Sequence, residues 1–273
     1  MVKARSSGVL QYAPTPFLVA LSFLTVFPST WNRTPSQREI SDSRIYFPVV
    51  GLLLGLLLVG LERGVREVFP VYLTSALLLV FLVIVTRGLH LDGFMDVCDG
   101  LFGGYTPERR LAIMKDTHVG AFAVAGVACL LVLKYAALLS LLSLGGSGKV
   151  WALLLFPMLS RWAMVIVLGA FPYARAQGLG SPFHQGGVRL ATALAAMVAT
   201  VAAILLGGIG GAGMFVGVSL LVWLLGRVMA NMLGGLTGDA YGAINEVAEV
   251  ADLMAAVALM PHGLIEPLPR WLW

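Results

Sequence analysis

The chain has 273 residues, 59% of them hydrophobic and 12% charged, against about 25% charged in an average soluble domain, so a soluble globular domain is excluded. The formal net charge of +4 comes from basic residues scattered between apolar runs, a pattern that argues against nucleic acid as a partner and for loops flanking membrane segments. Two cysteines, Cys98 and Cys129, make neither a disulfide framework nor a Cys-x-x-Cys metal site.

In chain order, residues 1–16 read as an N-terminal tail carrying Lys3 and Arg5, with no small-residue cleavage site behind the apolar stretch that follows. That stretch, 17–27, reads as a retained interfacial or re-entrant segment. Runs at 45–61, 68–86, 119–144, 150–170, 190–210 and 212–233 then match the bilayer-spanning helix of about 20 residues. A seventh, 247–264, is interrupted by Glu249 and Asp252. The expected fold is all-α: one polytopic integral membrane helix bundle over 1–273, with about six to eight segments in the lipid bilayer. If the six runs all cross, one face collects the loops at 28–44, 87–118, 171–189 and 234–246. It holds Arg33, Arg38, Arg44, Arg87, Arg109, Arg110, Lys115, Arg175 and Arg189, against Arg63, Arg66 and Lys149 on the other face. The richer face is the cytoplasmic one, and it also carries every polar motif. Glycines such as Gly51, Gly55, Gly207 and Gly217 suit close helix approach.

The densest polar segment, 87–118, puts Asp92, Asp96 and Asp99 at i, i+4 and i+7, within a narrow sector of a helix. Carboxylates so placed repel one another unless a cation sits among them. All-oxygen ligation favours a hard ion, Mg²⁺ or Mn²⁺. A solvated acidic face would not be embedded among Leu91, Phe94, Met95, Val97, Leu101 and Phe102. His90 lies on roughly the opposite side of such a helix, so a ligand role needs the helix to start after it; a base or an orienting hydrogen bond are the alternatives. Cys98 reads as a packing residue. Thr106 followed by Pro107 and Glu108 has the pattern of a helix start. Arg109 and Arg110 are candidates for phosphate oxygens, or else positive-inside anchors, and Lys115, Asp116 and, more weakly, His118 are site candidates beside them.

Two further motifs lie on the same face: Pro172-Tyr-Ala-Arg-Ala-Gln-Gly-Leu-Gly, and Gly234-Gly-Leu-Thr-Gly-Asp-Ala-Tyr-Gly. In the second, Asp239 sits between Gly238 and Gly242, and Glu246 follows two helical turns later. Both are candidate partners for the metal cluster or for a substrate hydroxyl. Arg161 and Arg227 are intramembrane charges, functional by default unless they snorkel. Acidic triad, arginines and glycine-rich backbone together read as metal-assisted transfer of a phosphate-containing group; the residues alone name no substrate.

The motifs Gly88-Leu-His-Leu-Asp-Gly-Phe-Met-Asp-Val-Cys-Asp-Gly, Met114-Lys-Asp-Thr-His-Val-Gly, Pro172-Tyr-Ala-Arg with Gly178-Leu-Gly, and Gly234-Gly-Leu-Thr-Gly-Asp with Gly242-Ala closely resemble the cobalamin synthase family, adenosylcobinamide-GDP ribazoletransferase. With Phe23-Leu-Thr-Val-Phe-Pro and Phe47-Pro-Val-Val-Gly, the likeness runs collinearly from about residue 17 to 250. The resemblance implies a Mg²⁺-dependent enzyme of the bacterial inner membrane. In such enzymes a hydroxyl of α-ribazole, or of its 5′-phosphate, attacks the cobinamide-bearing phosphorus of adenosylcobinamide-GDP and GMP leaves. It implies Asp92, Asp96 and Asp99 as Mg²⁺ ligands, an aspartate or His90 as proton acceptor, and Arg109, Lys115 or Arg175 against the charge of departing GMP. Subunit number stays open, a homo-oligomer included. Rim aromatics such as Phe94, Phe102, Tyr105, Tyr173 and Tyr241 are candidates to cover the corrinoid. Thr117, His118, Asn231 and Tyr241 depart from residues common in the family, whereas the aspartates do not. A CDP-alcohol phosphatidyltransferase fits worse, because Asp96-Val97 stands where that motif has Ala-Arg. A transporter fits worse because the carboxylates gather at a rim and not at midplane.

Overall fold

The computed structural model describes residues 15–27, 33–175, 180–184 and 188–267. The elements in chain order are α1 (Pro16–Leu24), α2 (Gln37–Asp42), α3 (Phe47–Val65), α4 (Val71–Val85), α5 (Leu89–Gly103), α6 (Pro107–Ile113), α7 (Ala121–Leu144), α8 (Gly148–Ala170), α9 (Val188–Leu233) and α10 (Gly238–Leu259). Among the described residues no strand forms, and one parallel bridge links Tyr173 to Leu236. The all-helical expectation holds, because apolar runs can satisfy their own backbone only as helices when water is excluded. Four helical stretches are long and apolar enough to cross a bilayer: Gln37–Val65, Ala121–Leu144, Gly148–Ala170 and Arg189–Leu233. A fifth candidate is the pair α4 and α5, bent by 87° at their junction.

The short helices have local causes. Thr15 caps α1 ahead of Pro16, and nine residues, about 14 Å of helix, are too few to cross, so this segment does not span. Ser36 and Glu39 form a reciprocal capping box on α2. The Thr106 side chain accepts from the Arg109 amide at 3.3 Å, starting α6 as its sequence implied.

Burial sorts the long helices. In α8, 89% of the apolar window is buried inside the protein, against 28% in α7 and in α9, so α8 is the central post and the other two face outward. Helix α3 runs antiparallel to α8: Gly51 lies against the backbone of Pro157 and Met158, Gly55 stands where a Cβ would come within 2.7 Å of Leu154 Cα, and Lys149 Nζ reaches Glu62 Oε1 at 2.8 Å beyond them. The expected break between 190–210 and 212–233 is a kink inside α9. Gly208 there adopts φ 57° and ψ −138°, a region closed to other residues, and Gly211 comes back against the carbonyl of Ala203. The two halves of α9 therefore double back on each other.

The stretch 87–118 carries α5 and α6, the helices that the aspartate spacing and the Thr106-Pro107 pattern implied. One expectation about loops needs correction: of 234–246 only the first four residues precede a helix, because α10 begins at Gly238 and runs unbroken past Glu249 and Asp252. Its start lies beside the end of α8, where the Leu236 amide donates to Pro172 O at 2.8 Å. Just past its end, Met260 packs near Gly148 at the start of α8. Helix α10 thus lies antiparallel to the central post over its whole length, with Asn245, Glu246, Glu249 and Asp252 buried. Neighbouring helices, not lipid, surround these polar groups, which is why an apolar periodicity does not announce them.

The α3 glycines supply a test of the packing. Gly51→Ala should destabilise the protein by about 1–3 kcal/mol through overpacking against α8. Gly60→Ala, with open space around its Cβ position, should stabilise it by roughly 0.5–1 kcal/mol through helix propensity. Thermal unfolding in detergent reads both; equal shifts of the same sign would contradict this packing.

Candidate active site

Helix α5 owes its direction to the turn that precedes it. Arg87 and Gly88 take positive φ values of 57° and 63°, and Arg87 Nη2 donates to Ser22 O at 2.9 Å, which offsets the strain of a left-handed non-glycine residue. The helix then begins at Leu89, before His90 and not after it. Asp92 lies exposed in its first turn, Asp96 is half-buried, and Asp99 is committed elsewhere: its carboxylate accepts the Gly120 amide at 2.6 Å and the Ala123 amide at 2.9 Å. Asp99 thereby caps α7.

The carboxylate that joins Asp92 and Asp96 is Asp239, from the first turn of α10. Glycines let the two helices meet. A Cβ on Gly93 would lie 2.7 Å from Asp239 O, and one on Gly242 would lie 3.0 Å from His90 O. Thr237 caps α10 by accepting the Ala240 amide at 3.2 Å. The charges that act on Asp96 are, in order, Asp239, Asp92, Arg175 and Asp99. Three carboxylates thus face one another across α5 and α10 with Arg175 as their neighbouring cation. Its Nη1 lies 3.1 Å from Asp239 Oδ2, while its Nε and Nη2 are buried without a hydrogen-bond partner among the described residues. Two donors of a guanidinium fork held this way suit a phosphoryl group. Among the described residues no three His, Cys, Asp or Glu side chains stand in ready metal-holding geometry. The donor set is nonetheless all oxygen and short of positive charge, which fits a hard divalent ion.

The other candidates divide. Arg110 is half-buried and structural: its Nε donates to Gly104 O and its Nη1 to Met232 O, both at 3.0 Å, tying α6 to the end of α9. Arg109, Lys115, Asp116 and His118 are exposed. The His118 amide donates to Asp116 Oδ1 at 3.0 Å, and their side chains pair at 2.6 Å. This hydrogen bond holds the Asp116 carboxyl below the usual carboxylate range and raises His118 above the usual imidazole value. Cys98 is buried and packs against Gly126, as a small packing residue should. In the motif Gly178-Leu-Gly, the first two residues lie outside the described residues.

Glu246 shares a helix face with Asp239 but lies two turns deeper, where it belongs to a buried ion cluster. Lys134 Nζ lies 2.5 Å from Glu246 Oε2 and 2.7 Å from Glu249 Oε2. Arg161 pairs with Glu249 through Nη1 and donates to Ser160 Oγ at 2.9 Å, and Asn245 donates to Glu249 at 3.2 Å. Lys134 did not figure among the sequence candidates; a single lysine inside the apolar run of α7 was the available signal. Arg227 is exposed on α9 and takes no part. His90 is buried, and Arg161, Glu249 and Lys134 of this cluster are the charges acting on it. His90, Asp92, Asp239 and Tyr241 line a cavity of about 90 Å³ together with Phe23, Phe47, Met164, Leu168 and Phe183. Asp92 also borders an open groove of about 400 Å³ beside Arg87 and Met95.

A family model for cobalamin-5-phosphate synthase matches residues 16–257. The chain belongs to that family. A cobalamin-5-phosphate synthase family member is a transferase of cobalamin biosynthesis, and the relatives agree with this. A protein of Desulfitobacterium hafniense named adenosylcobinamide-GDP ribazoletransferase is 40% identical over 247 residues, spanning 89% of this chain and 96% of its own. Proteins of the same name from Desulforamulus reducens and Syntrophobacter fumaroxidans are 38% identical over 85% of this chain, and 41% identical over 89% of it, covering 91% and 98% of their own lengths. No solved structure matches the chain.

The ion cluster yields a stability prediction. Lys134→Met leaves Glu246 and Glu249 with Arg161 alone and should cost about 3–5 kcal/mol. Adding Glu246→Gln to Lys134→Met restores charge balance and should recover much of the loss in thermal unfolding. A double variant no better than the single one would show that the cluster does not act through charge pairing.

Proposed function

We propose that this protein joins adenosylcobinamide-GDP to α-ribazole, or to α-ribazole 5′-phosphate, giving adenosylcobalamin or its 5′-phosphate and releasing GMP, in a Mg²⁺-dependent reaction at the bacterial inner membrane. The observation that carries this reading is the meeting of Asp92, Asp96 and Asp239 beside two donors of Arg175 that have no partner among the described residues, in a chain whose relatives bear the name of that transferase.

In the reaction the acceptor hydroxyl oxygen bonds to the cobinamide-bearing phosphorus, the bond from that phosphorus to the oxygen bridging it to GMP breaks, and GMP leaves with the electron pair. Arg175, anchored by Asp239, presents Nε and Nη2 to the diphosphate and offsets the charge that grows on GMP. Asp92 borders both the groove and the cavity, so it stands where donor and acceptor meet and takes the hydroxyl proton. Asp92, Asp96 and Asp239 would hold Mg²⁺; when bound, it supplies neutralisation of the diphosphate oxygens. Asp99, with both oxygens already accepting amides, holds the junction of α5 and α7 instead. Exposed Arg109 and Lys115 stand on the same rim, where they attract the anionic substrates.

Seven crossings account for the helix ends: α3, α4, α7, α8, both halves of α9, and α10. With that parity the rim bearing the aspartates gathers nine of the loop cations counted above and the other rim three, so the site faces the cytoplasm. In a Cys98→Ala, Cys129→Ala background, a cysteine at Ser147 should react with an impermeant maleimide added outside cells, and one at Thr117 should not. The reverse pattern would invert the topology.

The enzymatic test uses nanodisc-held protein with adenosylcobinamide-GDP and α-ribazole, with Mg²⁺ present or chelated, following GMP and the joined corrinoid. Asp92→Asn and Asp96→Asn should each lower kcat by about 10²–10⁴-fold, and chelation should abolish turnover. Full activity in both variants would move the catalytic centre elsewhere, and no product from the parent under any condition would overturn the reaction.

A further inference from the structure

A further group of charges lies on the rim opposite the carboxylates, where α3 and α7 end and α4 and α8 begin. A pocket of about 200 Å³ opens between these four helices, with Glu62, Arg66 and Lys149 as its charged lining and Phe69, Val71 and Leu142 as its apolar lining. Its charges do not balance. Lys149 Nζ lies 2.8 Å and Arg66 Nη1 3.5 Å from the same oxygen, Glu62 Oε1, so two cations lean on one carboxylate oxygen and repel each other across it. Glu67 reaches Arg66 at 4.0 Å, but its side chain is 80% exposed, and an ion pair in that setting contributes little. Two helix starts and two helix ends meet at the pocket, so their dipoles roughly cancel and the side chains set the sign. Glu62 and Lys149 are buried, which keeps water from screening the surplus positive charge. An anion entering the pocket relieves the repulsion between the two cations.

The surroundings select among anions. Phe69 and Val71 line the pocket and are exposed, as are Val68, Tyr72 and Leu73 beside them. Apolar groups facing outward next to a buried pair of cations suit an amphiphile, whereas a small anion arriving from water gains the charge contact alone. At about 30 Å³ for each water-sized group, the volume holds roughly seven such groups, which covers a phosphodiester with its nearest carbons and leaves acyl chains outside. Resting on the membrane crossings set out above, we infer that this pocket binds the phosphodiester of one anionic phospholipid, in the leaflet away from the carboxylate rim. Arg66 presents a planar fork and Lys149 a point charge to the phosphate oxygens, and the chains lie against the exposed apolar start of α4. One surplus positive charge in the lining meets one negative charge on the lipid. A zwitterionic lipid brings its own cation into the same field and binds more weakly. The bound lipid joins the ends of four helices, so it stabilises the bundle by mass action.

The test titrates the full chain, purified in a nonionic detergent, with dioleoyl phosphatidylglycerol, with dioleoyl phosphatidylcholine, and with glycerol 3-phosphate as a headgroup without chains. Native mass spectrometry reads lipid retention, and thermal unfolding reads stabilisation. Phosphatidylglycerol should be retained at one copy and raise the unfolding midpoint, phosphatidylcholine should bind about tenfold more weakly, and glycerol 3-phosphate should do neither at the same concentration. Arg66→Gln should weaken phosphatidylglycerol about tenfold. Arg63→Gln removes an exposed arginine of the same helix that lies outside the pocket, and should leave binding within about twofold. Equal losses in the two arginine variants would show a diffuse attraction to the rim and overturn the site. Equal retention of the two lipids by the parent would overturn it even if Arg66→Gln failed to fold, and so would glycerol 3-phosphate stabilising the protein as well as the lipid does. Any of these results, with the protein still held in alkali-washed membranes, sinks the pocket and leaves the crossings standing; release of the protein by the wash sinks both.

Discussion

The contact on which the site depends is the backbone-to-backbone approach of α5 and α10. Gly93 sits against Asp239, where no larger residue fits without moving a helix, and Gly242 sits against His90, where a Cβ would press the backbone at 3.0 Å. This approach brings the first turns of two helices together, so that Asp92 and Asp239 both lie where helix dipoles favour negative charge. Repulsion among the carboxylates is then the consequence of a packing contact, and a cation is its remedy. Arg175 supplies part of that remedy through Asp239 and keeps two donors without a hydrogen-bond partner among the described residues.

Below the site, the bundle holds a second polar layer. Burying Lys134, Arg161, Glu246 and Glu249 together costs desolvation that pairing only roughly offsets, so the cluster is weak evidence for stability. What it does is specify register: α7, α8 and α10 can satisfy these four charges in one arrangement of depth and rotation. That arrangement places the start of α10 at the rim beside α5 and directs His90 inward. The carboxylate rim and the buried cluster are therefore carried two to three turns apart on one helix, and a shift of α10 by a turn would disrupt both.

Much of the architecture was legible in the sequence because its cause is one-dimensional. Apolar runs of sufficient length announce α3, α4, α7, α8 and the two halves of α9, and Thr106, Pro107 and Glu108 announce the start of α6. Helix α10 was legible only as a doubtful segment, since Glu249 and Asp252 break its apolar run and nothing local shows that other helices shield it. Asp92, Asp96 and Asp239 stood out as carboxylates in apolar or glycine-rich surroundings. The capping duty of Asp99 did not, because its partners, Gly120 and Ala123, are twenty residues and more away. Lys134 was overlooked for the same reason: its meaning lies in Glu246 and Glu249, more than a hundred residues downstream.

The amino-acid order by itself determined that the chain is helical, which stretches are long and apolar enough to cross a membrane, and which family its motifs resemble. These follow from composition, periodicity and local spacing, where each residue's environment is set by its chain neighbours. Tertiary structure alone decided that Asp239 and not Asp99 faces Asp92 and Asp96, that Glu246 is a buried ion partner, and that His90 lines a cavity. Each of those outcomes depends on the depth and rotation at which helices distant in sequence come together, and steric fit at a few glycines and charge balance in the core set that geometry.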